Sequence, residues 1–331
     1  MENLVKAQEK GWRDKTVLVT GVTGFVGSSL GVRLIKLGAK VIGLVPDQAA
    51  ESNFNRLKLD QAITVVNGDL EDFHLLKRVI QEYRIQVIYH LGAQALVGIA
   101  HQSPLSTFKT NIEGTWNLLE ACREKKAIEA VIVASSDKAY GTHRKLPYRE
   151  DFPLQPEYPY DVSKACADLI ARSYYKTYGL PVVVTRFANI YGPGDFNFSR
   201  IIPNAMRSVL QGKNPTLRSD GTPERDYLYI GDAIDLYLLL AERIEETKGH
   251  VFNAGHNKPV SVLSLVQMIL RLAGRTDLKP EMRDKGNPKG EINRQYLDGR
   301  KVRRMLGWRP KVTLEDGLRM ALEWYRAEHD S

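Results

Sequence analysis

The sequence predicts an α/β fold, a doubly wound parallel sheet followed by a smaller mixed C-terminal lobe. Three observations carry this expectation. Short β-branched runs alternate with helically spaced apolar segments up to about residue 190, the pattern of βαβ units whose strands are buried on both faces. Glycines at 21, 24 and 27 fall directly after the first run. Beyond residue 190 the alternation breaks down into Gly and Pro clusters at 191–194, 212–223 and 286–290.

Taken in order, KTVLVT (15–20) is the first strand and 24–38 the first helix, followed by KVIGLV (40–45) and AITVVN (62–67). A helical pattern at 71–83 leads to IQVIYHL (85–91), another at 104–125 to AVIVASS (130–136), and a third at 160–178 to LPVVVTRF (180–187). Right-handed crossovers put the C-terminal ends of such strands on one edge, where ligands bind. Further helical patterns lie at 199–211, 231–246, 261–273, 299–306 and 314–328. The expected organisation is a first domain over 1–190, with 228–254 returning to it, and a second lobe over 191–331 that covers the ligand edge.

Composition narrows the function classes. The chain of 331 residues carries a net charge of +8, and 11 basic against 4 acidic residues lie between Lys279 and Lys311. That stretch lacks the aromatic interleaving of a single-strand binding groove, so no nucleic-acid partner is expected. A local positive field suits a small polyanion such as a pyrophosphate, although most of these side chains read as a solvated face. The N-terminal MENLVKAQEKGWRDK is too polar for a signal peptide, and no apolar run is long enough to span a bilayer. A cytoplasmic protein with no membrane partner is therefore expected. Cys122 and Cys166 are the two cysteines, read as reduced and packed, and without a Cys/His cluster no metal site is expected.

Gly21-Val22-Thr23-Gly24-Phe25-Val26-Gly27 joins the first strand to the first helix. Glycines there permit a tight turn and let backbone N–H groups meet a pyrophosphate at the helix N-terminus, while Gly27 lets helix and strand pack closely. A dinucleotide is the expected cofactor. An acidic residue closing the second strand would bind the adenosine ribose, but Val45 stands there, with Asp47 two residues on and no arginine following for a 2′-phosphate. NAD is favoured over NADP. Asp69, after the third strand, could receive the adenine amino group or could cap the next helix.

Tyr160-Asp161-Val162-Ser163-Lys164 sets Tyr160 and Lys164 on one helix face. A phenol is a poor base near neutrality, and a neighbouring ammonium favours its phenolate. Ser135-Ser136 ends the fifth strand, where a hydroxyl can hold a substrate oxygen beside Tyr160.

With HLGAQ (90–94), TNIEGT (110–115), SSDKAYG (135–141), RFANIYGPGD (186–195) and TPERDYLYIGD (222–232), these motifs resemble an extended short-chain dehydrogenase/reductase over about 15–328. The resemblance implies a Rossmann-type domain and a catalytic triad of Ser136, Tyr160 and Lys164. It places Gly21, Thr23, Gly24, Phe25, Val26, Gly27, Asp47, Asp69, Leu70, Leu91, Ala93, Gln94, Asn111, Tyr160 and Lys164 around NAD. It also implies a homodimer formed by helices near 104–124 and 160–178.

Ser136-Asp137-Lys138 narrows the class further. Sugar-nucleotide 4,6-dehydratases carry an acid and a base directly after the triad hydroxyl, and CDP-glucose 4,6-dehydratases carry Asp-Lys. HLGAQALV with HQSP, and GDFNFSRIIP (194–203), are similar to the same enzymes, whereas TPERDYLYIGD is closer to dTDP-sugar dehydratases and epimerases. The implied substrate is a nucleotide-sugar, with CDP ahead of GDP, dTDP or UDP. Asp137 is the expected acid and Lys138 the expected base for removing water across C5 and C6. Asn189, Arg225 and Arg294 are implied diphosphate ligands, and Gln94 and Arg200 further substrate contacts. The alternative is a nucleotide-sugar 4-epimerase, in which Asp137 and Lys138 are bystanders.

Overall fold

The apolar runs of the first half become neighbouring strands of one parallel sheet. The structure, a computed structural model, describes residues 11–46, 52–125, 127–283 and 292–329. Strands β1 (Thr16–Thr20), β2 (Lys40–Val45), β3 (Thr64–Asn67), β4 (Val87–His90), β5 (Ala130–Ala134) and β6 (Val182–Phe187) fall within the expected runs, and Val251–Ala254 forms β7. The seven strands lie in the order β7-β6-β5-β4-β1-β2-β3, the order a doubly wound sheet requires. The sequence expectation of that fold class is met.

Helices α1 (Phe25–Lys36), α2 (Phe73–Glu82), α3 (Gly114–Arg123) and α4 (Pro159–Tyr178) make the crossovers. Leu18, Ile88, Val131 and Val184 from the strands pack with Leu76 and Ile80 of α2, Leu118 and Cys122 of α3 and Ala171 of α4. Each fully buried aliphatic side chain contributes about 1.5–3 kcal/mol relative to exposure. The helix expected at 104–125 is interrupted: Pro104–Phe108 is helical, Lys109–Glu113 is a π-turn, and α3 begins at Gly114. The extra residue of a π-turn changes which side chains face inward, and such turns gather at functional sites. Both cysteines are free thiols, and burial pushes the Cys122 thiol pKa well up.

The chain divides into two compact units. The first comprises 1–140, 154–186 and 234–252, the second 141–153, 187–233 and 253–331. In the second, α5 (Ile201–Leu210), α6 (Val262–Leu272) and α7 (Leu314–His329) pack through Met206, Val209, Leu265, Ile269, Leu318 and Leu322. A Cβ on Gly317 would lie 2.2 Å from the Tyr191 hydroxyl oxygen, so only glycine lets α7 approach that ring. Among the described residues no helix is long and apolar enough to cross a membrane.

Candidate active site

The first unit builds its site from the turn between β1 and α1. Gly21 is left-handed at φ +72°, and a Cβ there would lie 2.7 Å from Gly92 N. At Gly27 a Cβ would be 2.0 Å from Gly21 O, which no neighbour can relieve because the obstacle is backbone. Gly24 differs. Its φ is −82°, and a Cβ would meet only Gly21 O at 3.4 Å. Gly21 and Gly27 are thus demanded by the chain's own packing, whereas Gly24 leaves bare backbone at the mouth of α1. The first turn of α1, which includes Phe25, carries no acidic residue, so its free N–H groups present a positive end suited to phosphate. This cradle fits a pyrophosphate.

At the neighbouring strands the expected contacts are only partly visible. Val45 closes β2 at 7% exposed, and Asp47 lies outside the described residues. Asp72, and not Asp69, caps α2: its carboxylate accepts from Leu75 N at 2.9 Å. The side chain of Asp69 is therefore exposed without a capping duty. Leu70 is buried against α3, where a Cβ on Gly114 would lie 2.6 Å from it.

The segment after β4 is pinned by a chain of buried polar groups. Thr20 Oγ1 accepts from Gly92 N at 3.0 Å and shares a 2.9 Å hydrogen bond with His90 Nδ1. His90 Nε2 shares another, 3.0 Å, with Thr115 Oγ1. Burial, aided by the Lys164 charge, pulls the His90 pKa down to about 3, so the ring is neutral and offers one donor and one acceptor. The π-turn points Asn111, 2% exposed, into this loop. Its Oδ1 accepts from Gln94 N at 2.7 Å, and its Nδ2 donates to Gln94 O at 3.1 Å and to Ser163 Oγ at 2.9 Å. Asn111 thereby joins the Gln94 backbone, at the end of the segment that holds Leu91 and Ala93, to the first turns of α4. The Gln94 amide itself closes its own loop, donating to Leu96 O and Thr107 Oγ1 and accepting from Leu96 N.

Tyr160 and Lys164 lie one turn apart on α4. Lys164 Nζ donates to Ala134 O at 2.9 Å, and Ser135 Oγ donates to Lys164 O at 3.3 Å, which locks the end of β5 to the helix. Lys164 is 7% exposed, and burial pulls its pKa down to about 8. Ser136 then opens a 3-10 turn, Asp137–Tyr140, that packs against α4. Its hydroxyl donates to Asp137 Oδ1 and accepts from Lys138 N, both at 3.2 Å. The five expected catalytic residues are therefore brought to one sheet edge. Asp161 is an addition that the sequence reading passed over. It is 5% exposed; burial raises its carboxyl pKa, and the Lys138 and His101 charges oppose that rise.

In the second unit, Asn189 N donates to Asp226 O, and Asp226 N donates to Gln295 O. Strand Glu224–Arg225 pairs with Arg294–Gln295. These bonds gather Asn189, Arg225 and Arg294 into one patch. Arg225 is 7% exposed and donates to Glu224 O, while Arg294 is open to solvent and paired with Glu224. Arg200 donates to Asp195 Oδ2 at 2.7 Å and to Ile190 O at 2.6 Å.

Residues 18–321 match the family model described as GDP-mannose 4,6 dehydratase. A curated relative, CDP-glucose 4,6-dehydratase of Salmonella typhimurium, is 31% identical over 333 residues, covering 96% of this chain and 92% of that protein. Among solved structures, dTDP-glucose 4,6-dehydratase of Bacillus anthracis in complex with NAD is 31% identical with a TM-score of 0.85, covering 96% of this chain and 98% of that one. UDP-glucose 4-epimerase of Thermotoga maritima with UDP-glucose is 30% identical with a TM-score of 0.88, covering 95% and 99%.

Proposed function

The chain belongs to the GDP-mannose 4,6 dehydratase family, and from that membership and the site's geometry we propose that it is an NAD-dependent nucleotide-sugar 4,6-dehydratase acting on a CDP-hexose. The observation that carries the reading is the Ser136-Asp137-Lys138 turn packed on the helix of Tyr160 and Lys164. Gly21, Gly24, Gly27 and the α1 N-terminus would hold the NAD pyrophosphate, with Asp69, Asn111 and Lys164 beyond it. When bound, NAD supplies the hydride acceptor for C4 and the donor for C6.

The chain's own groups move the protons. Ser136 holds the C4 oxygen, and Tyr160 takes its proton as the ketone forms. The ketone acidifies C5–H, whose proton Lys138 accepts, while Asp137 gives a proton to the departing C6 hydroxyl. Water leaves, and the Lys138 ammonium returns a proton to C5 as C6 is reduced. The product is a 4-keto-6-deoxy sugar. The proton gained at Tyr160 and the one lost at Asp137 even out through solvent before the next turnover. Asn189, Arg225 and Arg294 would bind the diphosphate, Arg225 and Arg294 through guanidinium forks. Arg200 and Gln94 are proposed as further substrate contacts; Arg200 keeps donors beyond those bound to Asp195 and Ile190, while Gln94 would have to exchange its bonds to Leu96 and Thr107.

The test is a panel of CDP-, GDP-, UDP- and dTDP-hexoses. The expected product is lighter by one water, with a C4 deuterium transferred to C6 and solvent deuterium at C5. An unchanged mass, with the C4 label retained at C4, would establish the epimerase instead.

A homodimer is the proposed assembly. Leu105 (69% exposed), Trp116 (44%), Leu169 (52%) and Tyr178 (56%) leave apolar area open on Pro104–Phe108, α3 and α4, more than scattered surface residues require. Replacing Leu105 and Leu169 together by Glu is expected to weaken dimerisation by at least about a hundredfold, since each lost leucine contact recurs on both subunits. Sedimentation across a dilution series reads this directly, and an unaltered dimer would place the interface elsewhere.

A further inference from the structure

Arg186 is the penultimate residue of β6, and its side chain is fully buried. Nε and Nη2 donate to the two carboxylate oxygens of Asp168, at 2.7 and 2.9 Å. Asp168 is also fully buried and lies one turn beyond Lys164 on α4. The Arg186 Cζ sits 4.6 Å from the ring centroid of Tyr140, the last residue of the Asp137–Tyr140 turn and itself 0% exposed. The electron-rich face of the Tyr140 ring is offered to the cation, and the Tyr140 hydroxyl adds a side-chain hydrogen bond that, with Asp168, holds Arg186 charged. A buried ion pair of this kind is a poor source of net stability, because desolvation offsets its attraction. Its placement suggests another use.

We propose that Arg186 is a positioning residue that brackets the helix bearing Tyr160 and Lys164 to the turn bearing Asp137 and Lys138. The proposal rests on the dehydratase reading, in which these two groups act in succession on C4 and on C5–C6 of one sugar. The near end of the turn is fixed by its continuity with β5, and the bonds of Lys164 to Ala134 and of Ser135 to Lys164 hold that end to α4. The far end is held at Tyr140, by Arg186 through its ring and by Gln155 N, which donates to Tyr140 O at 3.1 Å. Arg186 thus links the far end to the same helix through Asp168. Two catalytic steps that share one bound substrate need their groups set to within a fraction of an ångström, and a misplacement of about 1 Å can slow a step about a hundredfold.

The experiment separates the steps in a single turnover of the holoenzyme. Borohydride trapping of the 4-keto-hexose reports C4 oxidation, and release of a C5 deuterium reports elimination. Tyr140→Leu removes the ring face and leaves the ion pair. Elimination is expected to slow by about tenfold or more, with C4 oxidation and substrate affinity changed less than about twofold. Tyr140→Phe keeps the ring face and removes only the hydroxyl's contact with Arg186, so it should bring the ratio of the two rates to within about threefold of wild type. Hydrogen exchange should loosen the 137–140 amides in the Leu variant while α4 stays protected. If Tyr140→Leu fails to fold, Tyr140→Met fills the volume without a ring face and is held to the same ratio. Equal slowing of both steps, or an unchanged ratio in the Leu or Met variant, overturns the bracket. A wild-type product that has not lost water instead overturns the dehydratase reading.

Discussion

Lys164→Met is expected to yield a protein that is more stable at neutral pH and almost unable to turn over. The wild-type ammonium is 7% exposed, and burial lowers its pKa from 10.5 to about 8. In the unfolded chain the same group holds its proton up to the ordinary lysine value, so between those values the unfolded state binds more protons. Stability therefore climbs as pH rises from about 8 toward 10.5, and the penalty is fully present below 8. At about 1.4 kcal/mol per pKa unit, the penalty at pH 7 is about 3 kcal/mol. Methionine cannot be charged and fills a similar volume, although the bond to Ala134 O is lost at about 1 kcal/mol. Urea melts should show a net gain of about 2 kcal/mol at pH 7 that disappears by pH 10.5. Turnover should fall by at least about a hundredfold, because no cation remains to favour the Tyr160 phenolate. Identical melts for both proteins would mean that Lys164 is not a buried cation. Undiminished turnover would remove it from the proton machinery.

The site became legible to different depths for identifiable reasons. The strands and crossovers follow from buried β-branched runs and helical spacing, which are local signals. The edge strand Val251–Ala254 is short and lies far in sequence from β6, its neighbour in the sheet; the sequence predicts the return of 228–254 to the first domain, but not that it ends in a strand. The π-turn at Lys109–Glu113 leaves no trace in a helical period, yet it decides that Asn111 faces inward. Asp161, Asp168 and Arg186 are charged residues that sequence alone would leave at the surface. Each is at most 5% exposed, and the pairing of Asp168 with Arg186 spans two elements. Gln94 and Arg200 are a further case. Their residue types suit ligand contacts, and the structure adds local bonds, from Gln94 to Leu96 and Thr107 and from Arg200 to Asp195 and Ile190, that no spacing in the sequence announces.

Glycine spacing also hid a distinction that a pair of substitutions should expose. Gly24→Val is expected to leave the fold intact and to abolish cofactor binding. Gly24 has a φ of −82°, which any residue adopts, and a Cβ there meets nothing nearer than Gly21 O at 3.4 Å. The valine side chain would instead occupy the bare mouth of α1, where a pyrophosphate must approach backbone N–H groups. Calorimetry should show NAD affinity weakened by at least about a hundredfold, the loss of roughly 3 kcal/mol, with a melting temperature close to wild type. Gly27→Ala should do the reverse in order of cause. Its Cβ would lie 2.0 Å from Gly21 O and 2.7 Å from Gly21 C, so α1 must move away from β1 before any ligand is considered. Overpacking of this kind costs about 1–3 kcal/mol, and the melting temperature should fall even without NAD. The two variants thus separate a glycine kept bare for the ligand from one required by the chain. Unimpaired NAD binding by Gly24→Val would show that the pyrophosphate does not use this turn. A Gly27→Ala protein as stable as wild type would show that the close approach of helix to strand is not obligatory.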